Sequence, residues 1–552
     1  MSSCHVRPPG FRGIFRDDPA ALAVYSEAAG IGRIVPSAIV VPVDADDVVT
    51  IVKWASASSI PLIPRGSGTS MAGGAIGSGV IVDMSQLNHI GDIDPLNHSV
   101  WVGPGALRGA VNRRANESGC RFPVDPSSGE FCTIGGMVST NAAGAHTLRF
   151  GATRDWVISL DCIFDDGSRA IVSRLRPLPD GVSALERFSA TVGPAIRNLD
   201  GDSSITHEGV AKDSSGYGIA AYAHSGKLVD LLVGSEGTLV LIVGIELGLA
   251  PTARSTSGIL GAFSNLDDAV MAAGKARSAG AVACELLDRT FLDVASSGGT
   301  SPVAALSSIP AGTEAVLLAE VEGANDHEVE TAAGGLEQSF REAGATITKV
   351  AVGASEQHEI WELRHAASPI LSKLDPALKS MQFIEDSAVP PENLAEYVKG
   401  VRAAFDRNGV RGVIFGHAGD AHMHVNPLID TGKPDWRRKV ESLLDDVVAL
   451  TARLGGTLSG EHGDGRLRTP LLDKIWSAEA RELFAKVKSA FDPKGILNPG
   501  VKVPLENQHA LGDIKYDPSL PPLPPDARSA LDMVSAERAY STLRLSLIPE
   551  SR

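Results

Sequence analysis

The sequence predicts an α+β chain of two units, the first opening on a strand–helix–strand pattern and the second carrying an antiparallel sheet. Three observations point there. The 552 residues exceed what one hydrophobic core holds. Apolar runs at 39–41 and 60–63 flank a stretch at 48–55 with Val48, Val49, Ile51, Val52 and Ala55, a βαβ pattern. Past Pro251 the character changes. An apolar run at 315–321 precedes a helical stretch at 326–343 carrying Val329, Ala332, Leu336 and Phe340, and a further strand follows at 346–350.

Taken in order, residues 1–35 read as a polar lead-in, with Asp17-Asp18-Pro19 opening a helix through Ala28. Asp44 to Asp47 offer an N-cap and negative charge to the helix after strand 39–41. Strands are expected at 80–82 and 100–102, and a helix over 107–118 that ends at Gly119. Asp165-Asp166-Gly167 is hairpin chemistry between a strand ending at Phe164 and one at 170–172. The stretch 185–225 is loop-rich, and 241–247 closes the first unit. Leu520-Pro521-Pro522-Leu523-Pro524-Pro525 reads as a polyproline connector to a short helix over 527–543. The expected division is a lead-in to 35, a first domain over 36–250, a second over 251–490, a closing segment over 491–503 and a tail over 504–552.

Composition narrows the partners. A net charge of −16 argues against nucleic acid and against an anionic membrane surface. The five cysteines (Cys4, Cys120, Cys132, Cys162, Cys284) include no C-x-x-C pair, which argues against an iron–sulfur cluster and for reduced thiols in the cytoplasm. Residues 1–13 hold no apolar core of a secretory signal, and no apolar run reaches membrane-spanning length. The expectation is a cytoplasmic protein without a membrane span, with peripheral attachment to a membrane left open.

Chemistry enters with the glycine-rich stretch Pro64-Arg65-Gly66-Ser67-Gly68-Thr69-Ser70-Met71-Ala72-Gly73-Gly74, held between two candidate strands. Glycines admit backbone N–H groups to an anion, hydroxyls add donors, and Arg65 adds charge. No Lys-Ser/Thr follows, so it is not a Walker loop, and its spacing is not the dinucleotide fingerprint. By itself it reads equally as a surface turn. A second small-residue run joins it: Asp125, then Thr133-Ile134-Gly135-Gly136-Met137-Val138-Ser139-Thr140-Asn141-Ala142-Ala143-Gly144. A third is Gly234-Ser235-Glu236-Gly237-Thr238-Leu239. Together the three resemble the FAD-binding domain of the vanillyl-alcohol oxidase flavoprotein superfamily. The resemblance implies FAD contacts from Pro64, Arg65, Gly66, Ser67, Gly68, Thr69 and Ser70, from Asp125, Thr133, Gly135, Gly136, Ser139, Asn141 and Gly144, and from Glu236 and Gly237. Some relatives attach flavin through a cradle histidine. No histidine lies between residues 64 and 74, so dissociable FAD is expected.

The second unit holds Gly416-His417-Ala418-Gly419-Asp420-Ala421-His422-Met423-His424 and, further on, Ser459-Gly460-Glu461-His462-Gly463-Asp464. A hairpin turning at Asp420-Ala421 sets His417 opposite His424, two imidazoles awaiting a third metal donor, for which Glu461 is the candidate. Adjacent Glu461 and His462 are expected to point apart, one to metal and one to substrate. The bland alternative is a set of core histidines satisfied by hydrogen bonds.

These motifs resemble the C-terminal domain of FAD-linked D-2-hydroxyacid dehydrogenases. The resemblance implies a divalent metal, often zinc, on His417, His424 and Glu461, with His462 as the base. It also implies a carboxylate-gripping Arg364 in Trp361-Glu362-Leu363-Arg364 and a supporting Lys379. Glu385-Asp386 matches a family signature, and residues 491–500 match a closing segment that returns to the flavin domain with Asn498. The chain departs from the family at Ala421-His422, where Gly-Asn is usual, and in its long tail after Val503. The implied activity is oxidation of a D-2-hydroxy acid, of the D-lactate or glycolate kind, to the 2-oxo acid. Electrons would leave to a quinone, a cytochrome or a separate iron–sulfur protein. Two alternatives stay open: a metallohydrolase on the same donors, and an alkylglycerone-phosphate-synthase-like flavoenzyme without net oxidation.

Overall fold

A computed structural model describes residues 6–297, 309–351, 353–365 and 377–549. The first unit contains two four-stranded sheets. In one, Ala38–Val41, Val80–Asp83 and Leu62–Arg65 run parallel, and Ile14–Arg16 adds an antiparallel edge. Helix Ala45–Ser58 crosses over between the first two parallel strands in sequence. The Asp44 carboxylate accepts the Asp47 N–H, and Val48, Ile51, Val52 and Ala55 form the buried stripe. The other sheet is antiparallel, in the order Ser99–Val102, Leu241–Gly248, Val157–Ile163, Arg169–Ser173. The last two strands are the expected hairpin, turning at Gly167 with φ of 81°.

The second unit is built on an antiparallel sheet of eight strands among the described residues. Its path runs Ala345–Ala351, Ser255–Phe263, Ala315–Gly323, Ala283–Asp288, Arg411–His417, His422–Asp430, Leu378–Ser380, and the eighth strand, Ser387–Ala388, also pairs with His422–Asp430. Helices Leu266–Ser278, Asp326–Glu342, Leu394–Asn408 and Trp436–Arg453 bury their apolar stripes on one face, against Ile414, Met423 and Val425. Strand side chains alternate, so Val413, Phe415 and His417 face the other way. That alternation delivers the histidines to the side turned toward the first unit.

The chain then returns. Helix Ala478–Phe491 buries Phe484 and Phe491 in the first unit's core, where Phe491 packs on Phe164 and Phe188. Leu62 N–H donates to the Ile496 carbonyl at 2.7 Å, and Asn498 N–H to the Leu62 carbonyl at 2.8 Å. In the tail, helix Pro525–Glu537 stops six residues short of the stretch expected from sequence, because Arg538 adopts the left-handed conformation at φ of 55°. No helix of the described residues is long and apolar enough to cross a membrane.

Candidate active site

Strand Leu62–Arg65 runs straight into the glycine-rich loop, and the loop walls a cavity of about 1120 Å³. Pro64 through Ser70 line it, together with Thr133, Gly135, Gly136, Ser139, Glu236 and Gly237. Gly68 holds a positive φ of 74°, and a side chain on Gly66 would collide with the Thr133 hydroxyl. The hydroxyls of Ser67 and Ser70 are buried without a hydrogen-bond partner among the described residues. Orphaned buried donors beside a glycine loop suit an anionic ligand. The volume exceeds the usual range for small-ligand pockets, as a dinucleotide requires. The residues present therefore fit FAD.

The same cavity reaches Arg364, Lys379, His424, Glu461 and His462. His417 Nε2 lies 3.3 Å from His424 Nε2 and 3.3 Å from Glu461 Oε1, and His424 Nε2 lies 3.5 Å from Glu461 Oε1. Donors about 2.1 Å from a tetrahedral zinc are separated by roughly 3.4 Å, so this triangle has the size of one face of such a site. The other imidazole nitrogens are anchored. His417 Nδ1 meets Glu285 Oε1 at 2.5 Å, and His424 Nδ1 meets the Glu385 carbonyl at 3.1 Å. Each anchor turns a free Nε2 toward the centre. Burial drives His424 well below its ordinary pKa, leaving it a neutral donor. Burial opposes charge on Glu461 too, but Lys212 and His417 more than offset it and hold the carboxylate ionised. Burial opposes charge on His417 as well, but Glu285 and Glu461 together more than offset it and raise it to about 8.

The hairpin differs from its sequence expectation. Its turn is a short helical segment, Ala418–Asp420, followed by Ala421 at φ of 52°. The register then pairs His417 with His422, and Phe415 with His424. His417 and His424 meet on a diagonal, and His422 shares their face. His422 Nε2 contacts Asp386 Oδ1 at 2.9 Å, while its Nδ1 is buried without a partner among the described residues and lies 3.9 Å from Glu461 Oε2. Nor do Glu461 and His462 point apart: Glu461 Oε1 and His462 Nε2 are 3.9 Å from each other. They sit in a loop, not a strand, and Asp386 accepts the backbone N–H of both.

His462 Nδ1 faces Glu385 Oε1 at 3.3 Å and Asp386 Oδ1 at 3.4 Å. Burial opposes its charge, but the two carboxylates prevail and raise it to about 9. With Nδ1 so engaged, Nε2 is the nitrogen left for a proton from the cavity. Arg364 donates Nε to Glu285 Oε2 at 2.5 Å and lies over the Phe415 ring at 4.6 Å. Its two terminal nitrogens have no partner among the described residues. Lys379, on the edge strand Leu378–Ser380, lines the cavity as well.

Several residues assigned to the cofactor from sequence are occupied by the chain itself. Arg65 lines the cavity, but its guanidinium donates to the carbonyls of Tyr25 at 3.1 Å and Glu27 at 2.9 Å. The Glu236 carboxylate accepts the Asp464 N–H at 2.7 Å and pairs with Lys502 at 3.1 Å. Asp125, Asn141, Gly144 and Asn498 lie outside the cavity wall. Asp125 holds His146, the Asn141 side chain accepts the Arg154 N–H, and the Gly144 carbonyl accepts from Lys212. The Asn498 amide donates to the carbonyls of Gly74 and Glu236. Loop carbonyls and N–H groups buried around a cavity need partners, and these side chains supply them.

Three supporting residues were not legible as such. Glu285, fully buried in Ala283–Asp288, holds both His417 and Arg364. Its only sequence signal is a lone carboxylate inside an apolar run. Lys212, buried, reaches Glu461 Oε2 at 3.2 Å and Asp420 Oδ2 at 3.6 Å. Arg468, also buried, pairs with Glu385 and donates to the Gly463 carbonyl.

Both units have relatives among known proteins. Residues 36–173 match the FAD binding domain family, and residues 252–501 match the family of FAD linked oxidases, C-terminal domain. The glycolate oxidase subunit GlcD of Bacillus subtilis is 29% identical over 88% of this chain and 93% of its own length. The D-lactate dehydrogenase of Archaeoglobus fulgidus is 28% identical over 84% and 90%. The D-2-hydroxyglutarate dehydrogenase of Escherichia coli is 30% identical over 91% of this chain, which spans about half (51%) of that protein. Among solved structures, 4-ethylphenol oxidase from Gulosibacter chungangensis superposes with a TM-score of 0.64 at 15% identity, covering 89% and 94% of the two chains. An alkyldihydroxyacetonephosphate synthase superposes at 0.59, also at 15%, covering 88% and 82%. Fold, cradle and relatives converge: the chain belongs to the FAD-linked D-2-hydroxyacid dehydrogenase family of the vanillyl-alcohol oxidase flavoprotein superfamily.

Proposed function

We propose that the protein oxidises a small D-2-hydroxy acid, of the D-lactate or glycolate class, to the 2-oxo acid, using non-covalent FAD and a divalent metal. The observation that carries this reading is one continuous cavity. A phosphate-type cradle, two corners (His424 and Glu461) of a two-histidine and glutamate triangle with 3.3–3.5 Å edges, and Arg364, whose terminal nitrogens have no partner among the described residues, all line it. Zinc is the first choice for two imidazoles and a carboxylate. Bound FAD supplies the two-electron sink, and a bound divalent ion supplies Lewis acidity toward the hydroxyl and carboxylate oxygens.

The chain's own residues do the rest. Arg364 presents a planar fork to the substrate carboxylate, held in orientation by Glu285 and by the Phe415 ring. His462 Nε2 takes the hydroxyl proton, and the carboxylates of Glu385 and Asp386 stabilise the imidazolium that results. Lys379 adds a cation to the substrate side. Residues 36–250 with the closing segment 491–503 form the flavin unit in this reading, and 251–490 the substrate unit. Electrons pass on to a separate acceptor such as a quinone, a cytochrome or an iron–sulfur protein.

A panel of D- and L-2-hydroxy acids with an artificial dye acceptor tests the activity. D-lactate or glycolate is expected to reduce the dye, and their failure alongside turnover of an unrelated alcohol would overturn the substrate class. The cofactor linkage is tested apart. Acid precipitation is expected to release yellow flavin into the supernatant, and colour that stays with the pellet contradicts non-covalent binding.

A further inference from the structure

The cavity wall continues past the matched families. The C-terminal family match ends at residue 501, yet Arg528, Leu531, Arg538, Tyr540 and Arg544 of the tail line the same cavity as the glycine cradle. Helix Pro525–Glu537 buries Ala527, Ala530 and Leu531 against Ala21, Val24 and Tyr25 of the lead-in helix Pro19–Tyr25. Beyond it the Tyr540 ring stacks on Phe131 at 5.5 Å, and the Arg538 guanidinium lies 4.8 Å over the same Phe131 ring. The short helical turn Arg544–Leu547 carries Arg544 onto the cradle, only 4% exposed.

There Arg544 Nη2 donates to the Ser67 carbonyl at 3.2 Å, and Nη1 to the carbonyls of Ala539 at 3.2 Å and Thr542 at 3.3 Å. Its Nε is buried without a partner among the described residues. Arg65 packs into the same loop, its Nη2 2.5 Å from where a Gly68 side chain would begin. Among the described residues neither arginine forms an ion pair. Carbonyls satisfy most of their N–H groups, Arg65 lies over the Tyr25 ring at 5.1 Å and Arg544 over the Tyr540 ring at 5.4 Å, and the buried Asp83 carboxylate offsets part of the charge. Two buried cations sharing one carboxylate still carry net positive charge, which is unfavourable by desolvation and by mutual repulsion. The Ser67 and Ser70 hydroxyls beside them are orphaned as well. A dianion seated in the cradle answers all three features: two cations, an unpaired Nε and two idle hydroxyls.

We propose that the C-terminal tail is part of the cofactor site, with Arg544 furnishing a second cation for the diphosphate of the dinucleotide and the Tyr540–Phe131 stack closing the wall beside it. The inference rests on the chain holding FAD. Apo-protein of the full chain is titrated with FAD and, separately, with ADP, by calorimetry. Arg544→Gln is expected to weaken both by about ten- to hundred-fold, the range for a lost hydrogen bond to a charged group. Arg544→Lys keeps the charge and gives up the fork to the carbonyls. It is expected to retain most of the affinity, whereas a purely structural arginine would leave Lys as weak as Gln. Unchanged affinity in Arg544→Gln, or equal loss in both variants, overturns the proposal. Wild-type apo-protein that binds neither FAD nor ADP overturns the cofactor assignment itself, a result distinct from either.

Discussion

His462→Ala is expected to lower kcat by about 10²–10⁴-fold, the usual contribution of a positioned general base. The imidazole lies between two carboxylates on its Nδ1 side and the cavity on its Nε2 side. Only the neutral ring accepts a proton, so wild-type rate should climb as pH rises through the His462 pKa. The carboxylates raise that value to about 9, and a cation on the neighbouring Glu461 pulls it down, so the midpoint is expected at or below about 9. The variant should lose this limb. Arg364→Ala sets the contrast. A carboxylate is present in ground and transition state alike, so its loss should act mainly on KM. Steady-state kinetics across pH decide the matter. Near wild-type kcat with an intact acidic limb in His462→Ala would remove the base from His462 and direct attention to His422, which contacts the same Asp386 carboxylate.

His417→Ala is expected to abolish turnover and strip the metal while leaving the flavin spectrum in place. The change deletes one corner of the donor triangle and takes from Glu285 one of its two cationic or hydrogen-bonding partners. Partners that merely orient a metal ligand are worth about 10–100-fold in metal affinity, and a ligand is worth more. His424→Ala should behave alike, since its Nε2 is the second corner. Metal analysis of purified protein beside its flavin absorbance makes the test. Active wild-type enzyme that contains no metal and ignores chelators would refute the assignment.

What the sequence disclosed, and what it withheld, follows from the range of the interactions. The glycine cradle was legible because Gly68 needs a positive φ and Gly66 a close approach to Thr133, demands that only glycine meets cheaply. The antiparallel second sheet and helix Asp326–Glu342 were legible from period, since the helix has a simple apolar stripe, whereas helices Leu266–Ser278, Leu394–Asn408 and Trp436–Arg453 were not read from the sequence. His417, His424 and Glu461 could be named together by residue type. Their register could not, because the hairpin turns through Ala421 in a left-handed conformation that no Asn or Gly announces. Glu285 and Lys212 were invisible for another reason. Each acts on a partner more than a hundred residues away, His417 at a separation of 132 and Glu461 at 249, and neither belongs to a local pattern. Arg65, Glu236 and Asn498 were named as cofactor contacts from the resemblance, and what no sequence shows is that each also bonds to backbone atoms of the chain itself.

Glu285 has a consequence for how such a site can diversify. One buried carboxylate grips the His417 imidazole with one oxygen and the Arg364 guanidinium with the other. Under the proposed function, moving Arg364 to suit a longer or shorter acid would also disturb His417, because both lean on the same carboxylate. Variation is channelled to the opposite wall, where Lys379 and Ser380 sit on the strand that ends the sheet. Among the described residues that strand pairs with His422–Asp430 alone, so its side chains can change while Glu285, His417 and Arg364 keep their contacts.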